Sequence, residues 1–245
     1  QRRRRADAAE VTARLATVRA SRLAREESVA RRSSAMLCLG LMLVLFLGLY
    51  RWTHGFEVWT FEGRRQMQLL AGELRARPVD LRGSDGSMPR LWGDAGASPA
   101  AYLVDFVYTS CPSVCRALGG EYQQMQRELV VQQDEEQLRG VHLVSISFDV
   151  DHDDPARLAR YASDMHVDPR HWTLAVPATH DDARELLASL GVVVVPDGQG
   201  GFVHNGAIHL LDERGRLRGL YGFDQWHQAL EAARRLVATR PEALR

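Results

Sequence analysis

One uninterrupted apolar run, Ala35 to Tyr50, stands out from a chain that otherwise alternates short apolar stretches with segments of helical spacing. Extended from Ser33 to Trp52, it reaches the ~20 residues that a bilayer-spanning helix needs. Arg51 can snorkel at its end while Trp52 sits at the interface. The competing readings are a helix buried in a soluble core and a cleaved signal peptide. A signal peptide would carry an unusually long basic region here, and no small-residue cleavage site follows the run. The pattern therefore predicts an uncleaved signal anchor, a single transmembrane helix over 33–52.

Beyond the anchor, His54–Arg77 sets Phe56, Trp59, Phe61, Met67, Leu70 and Leu74 at helix-like intervals and stops at Pro78, which predicts a juxtamembrane helix. Val79–Pro99 gathers glycine, serine, aspartate and proline and reads as an irregular lead-in with room for a short hairpin. Residues 53–99 are thus a connection, and the folded domain spans 100–240. In it, Ala101–Tyr108 predicts a buried strand, Cys115–Gln132 a helix, Val141–Phe148 a second strand and Pro155–His166 a helix that begins on proline. Trp172–Val176 predicts a third strand, Asp181–Leu190 a helix capped by aspartate, and Gly191–Val195 a short apolar run. Ala207–Leu211 and Leu217–Tyr221 predict a hairpin around Asp212–Gly215, with Asp224–Ala238 as the closing helix. A βαβα unit followed by an antiparallel hairpin and a helix predicts an α/β fold of the thioredoxin-like kind, a central mixed sheet flanked by helices.

Charge adds a direction to this layout. With 31 basic and 31 acidic side chains and 45% hydrophobic residues, the chain has the composition of one globular domain with attachments. A net charge of zero gives no reason to expect nucleic acid as a partner. Residues 1–32 are nevertheless rich in arginine, with only Asp7, Glu10, Glu26 and Glu27 against it. The positive-inside rule then keeps 1–32 in the cytoplasm and carries everything after Trp52 across a bacterial inner membrane into the periplasm, an oxidising space.

That placement bears on the three cysteines. Cys38 lies inside the apolar run and reads as a small apolar filler. Cys111 and Cys115 are left for chemistry, at the end of a strand and the opening of a helix. Thiols four residues apart on a helix face the same way, with β-carbons roughly 5–6 Å apart, so they can close a disulfide or grip one metal ion. A structural zinc site of four cysteines is excluded. The first turn of a helix favours thiolate over thiol, which serves both disulfide exchange and soft metal ligation. Ordinary thioredoxin-like oxidoreductases use two residues between their cysteines, and here there are three.

A further cue is Phe202–Asp212, which enters the hairpin. Thioredoxin-like redox proteins generally place a proline just before this strand, and this chain has His204-Asn205 there instead. A ligand at His204 would complete a set of two thiolates and one imidazole, which suits Cu(I) and can hold Cu(II) with an added ligand. Zinc would prefer a fourth protein ligand. A hydrogen-bonded loop histidine is the plainer reading of His204 taken alone. His209 reads as a strand-surface histidine, with an auxiliary ligand as the sharper alternative, and His152, His166 and His171 fall in loops or at helix ends without ligand spacing.

Three segments, within a resemblance running from Pro78 to Ala238, carry a likeness to a known family. Tyr108-Thr-Ser-Cys-Pro-Ser-Val-Cys115 resembles the T-x-C-P-x-V-C signature of the Sco/SenC family of membrane-anchored copper chaperones. Ser145 to Pro155, followed by Leu158 and Tyr161, is similar to its S-x-D-P-x-x-D-T-P segment. His204 ahead of Ile208–Gly215 is similar to its metal-binding histidine before a hairpin. The resemblance implies copper ligands at Cys111, Cys115 and His204, and delivery of copper to the binuclear copper site of cytochrome c oxidase. It also implies a partner in the oxidase subunit that carries that site, and a thioredoxin-like reductant to keep the thiols reduced. The chain departs from the pattern at Arg116, where many members have proline, and at Phe148–His152, which replaces a simpler aspartate-proline stretch. Asp149 is the aspartate expected to stand behind the ligands, with Asp151 as its rival; Asp154 is expected to cap the helix at Pro155. The competing function is a periplasmic thiol–disulfide oxidoreductase that reduces the recipient's cysteines with the same pair. A peroxidase is weaker, because its sequence cues are absent.

Overall fold

The computed structural model describes residues 36–52, 61–93, 100–111, 114–131 and 140–239, with the backbone alone at 61, 62 and 114–118. The chain divides into two compact units, 1–64 and 65–245. In the first, 36–52 forms helix α1, whose side chains are exposed along its whole length. Phe46 and Tyr50, one turn apart, stack with ring centroids 6.4 Å apart. Among the described residues no helix is long and apolar enough to cross a membrane. Residues 33–35 of the predicted anchor, and the basic segment 1–32, lie outside them.

The second unit is built on a six-stranded sheet of order β1-β4-β3-β2-β7-β8. Its members are β1 (Leu81–Gly83), β2 (Ala101–Val107), β3 (Val141–Ser147), β4 (Trp172–Pro177), β7 (Ile208–Asp212) and β8 (Leu217–Tyr221). Strands β2, β3 and β4 run parallel, and β7, β8 and β1 run antiparallel to their neighbours. A separate two-stranded ribbon pairs β5 (Val194–Pro196) with β6 (Phe202–His204). The helices are α2 (Phe61–Leu70), α3 (Val114–Val131), α4 (Pro155–Asp164), α5 (His180–Ser189) and α6 (Trp226–Ala238), the last preceded by a 3₁₀ turn over Phe223–Gln225. This is the expected α/β arrangement with a mixed central sheet.

The largely apolar runs become the middle of the sheet because strands covered on both faces bury nearly every side chain, Asp105, Ser145 and Ser147 among them. All seven residues of β2 are buried, as are six of the seven in β3. Helices α3 and α4 share a layer: Gln123 and Gln126 of α3 donate side-chain hydrogen bonds to the carbonyls of Met165 and His166, just past α4, at 2.8 and 2.9 Å. Helix α6 packs on α3, β2, β7 and β8.

Cap chemistry agrees with the sequence at one helix and corrects it at another. Asp154 caps α4 by accepting from the N–H of Arg157 at 2.7 Å, with Pro155 at the first helical position. Helix α5 starts one residue earlier than expected and is capped by the hydroxyl of Thr179, which accepts from the N–H of Asp182 at 3.1 Å. Asp181 and Asp182 sit in its first turn, where the helix dipole favours them without a capping bond.

Candidate metal centre

The site grows out of the carboxyl end of β2. After Tyr108, the chain turns through Thr109 and Ser110, and the N–H of Cys111 donates to the carbonyl of Tyr108 at 3.2 Å. Cys111 is partly buried and packs on the core. Cys115 is the second residue of α3, so it falls in the helix's first turn, as expected; its side chain lies outside the described residues. The first N–H groups of a helix have no partner within it and carry partial positive charge, which lowers the cost of thiolates there.

His204 closes β6 rather than leading directly into the β7 hairpin strand, because Asn205, Gly206 and Ala207 intervene. Val194 of β5 is its cross-strand partner. Its ring packs against Phe148 with centroids 5.2 Å apart, and Phe148 in turn packs on Tyr108 and Phe202 at 5.5 and 5.4 Å. Tyr108 and Phe148 therefore link the cysteine loop to the histidine ribbon, and the Tyr108 hydroxyl also accepts from the N–H of Phe202 at 3.3 Å. Burial pushes the His204 imidazole below its usual value and keeps it neutral, the ligating form. Its Nδ1 is buried with no hydrogen-bond partner among the described residues. Gly206 makes room for the ring: a β-carbon there would lie 2.9 Å from His204 Cε1 and 2.6 Å from Phe223 Cζ. Among the described residues no three His, Cys, Asp or Glu side chains gather as a metal cluster.

The loop after β3 carries the expected aspartates, and each has a different task. Asp149 is buried and its carboxylate meets Nδ1 of His152 at 2.9 and 3.1 Å. Its N–H donates to the Ser147 hydroxyl at 3.2 Å. Asp149 holds the His152 imidazole above its usual value. Asp151 is exposed and pairs with Nε2 of His180 at 2.9 Å. The carboxylate that reaches the cysteine loop is Asp153, which sequence reasoning missed. It is buried and accepts from the N–H of Thr109 at 2.9 Å, the hydroxyl of Thr109 at 2.5 Å and the hydroxyl of Ser147 at 2.6 Å. The available signal was its place one residue before the cap Asp154, which turns its side chain back toward β2 as α4 begins.

His209 is corrected outright. It is fully buried in β7, between β2 and β8, so neither the strand-surface reading nor the auxiliary-ligand reading holds. Nδ1 meets the carbonyl of Val104 at 3.1 Å and therefore carries the proton. Nε2 is then the acceptor, and the guanidinium of Arg65 occupies it. Both ring nitrogens are used, and burial together with Arg65 pushes the imidazole down to about 3.

The SCO1/SenC family profile matches residues 93–238, more than half the chain. A curated relative, the SCO1 protein homolog of Bacillus subtilis (strain 168), is 21% identical over 145 residues, covering 57% of this chain and 69% of the relative. Among solved structures, BsSco, described with a disulfide switch as a member of the Sco family of cytochrome c oxidase assembly proteins, superposes with a TM-score of 0.58 at 17% identity. It covers 69% of this chain and 96% of its own. Copper-bound ScoI of Bradyrhizobium japonicum superposes with a TM-score of 0.52 at 23% identity, covering 66% of this chain and 99% of its own.

Proposed function

The chain belongs to the SCO1/SenC family, and from that premise we propose that it is a copper-binding metallochaperone that delivers copper to the binuclear copper site of cytochrome c oxidase. The observation that carries this reading is His204: a half-buried neutral imidazole whose Nδ1 has no hydrogen-bond partner among the described residues. Polar atoms in such places are normally satisfied, and this nitrogen, without a partner among the described residues, is available to a ligand. The proposed ligands are Cys111, Cys115 and His204. The copper-bound relative from Bradyrhizobium japonicum supports the choice of metal.

Copper is cargo here, and the residues' task is to take it up and release it. Thiolates at the start of α3 supply soft donors, His204 adds a neutral nitrogen, and three ligands leave one side open to a donor from the recipient. If Cys111 and Cys115 join as a disulfide by exchange with an incoming disulfide, that disulfide takes the two electrons and leaves as two thiols, and the pair gives up the protons or metal it held. Metal binding and the disulfide are then mutually exclusive, and a thioredoxin-like dithiol that takes the disulfide over restores the site. Asp149 pairs with His152 in the loop after β3, while Asp153 holds the cysteine loop.

We further propose that helix 36–52, extended by 33–35, is a single-pass anchor in a bacterial inner membrane with the domain periplasmic. The support is the length of the apolar run and the arginines before it.

The second reading, a thiol–disulfide oxidoreductase acting on the oxidase's cysteines, is favoured by the disulfide switch of the BsSco relative. His204→Ala separates the two. The copper reading expects the variant to lose tight copper binding and keep disulfide exchange with a dithiol. Unchanged copper affinity would overturn the three-ligand set, and rapid catalytic reduction of insulin disulfides by the wild-type chain would favour the oxidoreductase.

A further inference from the structure

Arg65 is one of the largest fully buried side chains, an unusual place for a guanidinium. It reaches inward from α2 and touches three segments that are far apart in sequence. Its Nε donates to the carbonyl of Leu190 at 3.1 Å, its Nη1 to the carbonyl of Asn205 at 3.4 Å, and its Nη2 to Nε2 of His209.

Each contact has a physical reason. Leu190 is the residue that ends α5, where the last carbonyls lack helical partners and a cation is favoured by the dipole. Gly191 follows with φ +63°, and a β-carbon there would lie 3.2 Å from Arg65 Cγ, so glycine serves both the turn and the passage of the arginine. His209, through its protonated Nδ1, hands the linkage on to Val104 of β2, the strand that leads to Cys111.

Asn205 is the residue after His204, and it is held on every side. Its N–H donates to the carbonyl of Val193 at 3.3 Å, its side-chain oxygen accepts from the N–H of Val193 at 2.7 Å, and its side-chain nitrogen donates to the carbonyl of Gly191 at 3.0 Å. Arg65 secures the remaining carbonyl. The chain that carries His204 is thereby fixed to the end of α5, to β7 and, through β7, to β2.

We propose that Arg65 is a positioning residue for the copper ligand His204, acting through Asn205 and His209 to fix the backbone from which the imidazole projects. The inference rests on the copper reading of Cys111, Cys115 and His204. Outer partners of metal ligands typically change affinity by roughly 10–100-fold when removed, because they set the ligand's orientation. Lysine keeps the charge but presents a single ammonium and cannot bridge three acceptors in the planar geometry of arginine.

The test is anaerobic copper titration against a competing chelator, with the full chain in detergent, for wild type, Arg65→Met, Arg65→Lys, His204→Ala and the double variant Arg65→Met/His204→Ala. Copper affinity is expected to fall about 10–100-fold in Arg65→Met and by a similar factor in Arg65→Lys. The Cu(II) forms of both should lose imidazole-nitrogen hyperfine structure. In the His204→Ala background the Arg65→Met change should have no further effect, an outcome that a merely destabilising role would not produce. If Arg65→Met does not fold, Arg65→Lys and His209→Phe, each paired with His204→Ala, carry the same comparison. Wild-type affinity and spectrum in the Arg65 variants, or an equal loss in both backgrounds, overturns the inference. Indistinguishable copper binding by wild type and His204→Ala would instead overturn the copper reading on which it rests.

Discussion

Thr109 gives both its backbone N–H and its hydroxyl to Asp153, at 2.9 and 2.5 Å, across 44 residues of sequence. The pair ties the loop that begins the cysteine motif to the loop after β3, and the Ser147 hydroxyl completes the carboxylate's shell at 2.6 Å. Asp153→Ala leaves three donors without their acceptor in a largely buried place. We expect a loss of about 3 kcal/mol in urea unfolding. Alkylation of reduced Cys111 should also quicken, since its loop loses its tether. A change below about 0.5 kcal/mol with unaltered alkylation would contradict the role assigned to the pair.

A second prediction concerns pH. Asp105 lies in the middle of β2, fully buried, and burial pushes its carboxyl up to about 7, partly offset by the Ser145 hydroxyl. The Tyr122 hydroxyl of α3 faces it without completing a hydrogen bond. Because the folded protein holds this proton more tightly than the unfolded chain, the group's contribution to stability is complete below about pH 4 and is lost as pH rises through about 7. Asp105→Asn removes that loss. The variant's stability relative to wild type should rise by about 2–4 kcal/mol between pH 4 and pH 7, read from urea midpoints across the range. A flat difference curve would refute a protonated Asp105.

Gly206 gives a third test. A β-carbon at this position would press on His204 Cε1 and on Phe223, both side-chain atoms that can yield. Gly206→Ala should therefore fold, displace the imidazole, and weaken copper binding by about 10-fold while leaving the thiols' reactivity unchanged. Wild-type copper affinity in the alanine variant would mean that the ring's present position is not the one that matters.

The anchor is tested by membrane extraction. We expect the full chain to remain with bacterial membranes through alkaline carbonate and to leave them only with detergent, whereas a chain starting after Trp52 should be released. Carbonate-soluble full-length protein would contradict an embedded helix.

How far the sequence could be read depended on the range of the forces involved. Mostly apolar runs, interrupted by Asp105 in β2 and by Ser145 in β3, marked these strands because central strands are covered on both faces. Proline and aspartate marked the start of α4, since capping is a contact over three residues. The three-residue β1 and the β5–β6 ribbon are too short to show a period: only β1's ends are buried, and no residue of the ribbon is, although Gly191–Val195 reads as an apolar run. His209 was misread because its burial depends on a partner 144 residues away, and alternation along β7 assumed a solvent face, whereas all five residues of β7 are buried and Arg65 covers the histidine. Asp153 was passed over for Asp149 and Asp151 because three nearby carboxylates look alike until their partners are known. The cysteine pair stood out by its spacing, which left disulfide and metal both open, and His204 was singled out as a ligand only when the missing proline was joined by the family resemblance.

The central claim, that Cys111, Cys115 and His204 form a copper site gated by the cysteines' redox state, is tested most directly by anaerobic titration of the full chain in detergent with Cu(I), before and after disulfide formation. The account predicts one tightly bound copper per reduced chain and none in the oxidised chain, with binding restored by a dithiol reductant. Copper binding that survives oxidation of Cys111 and Cys115, or a reduced chain that binds none, would contradict it.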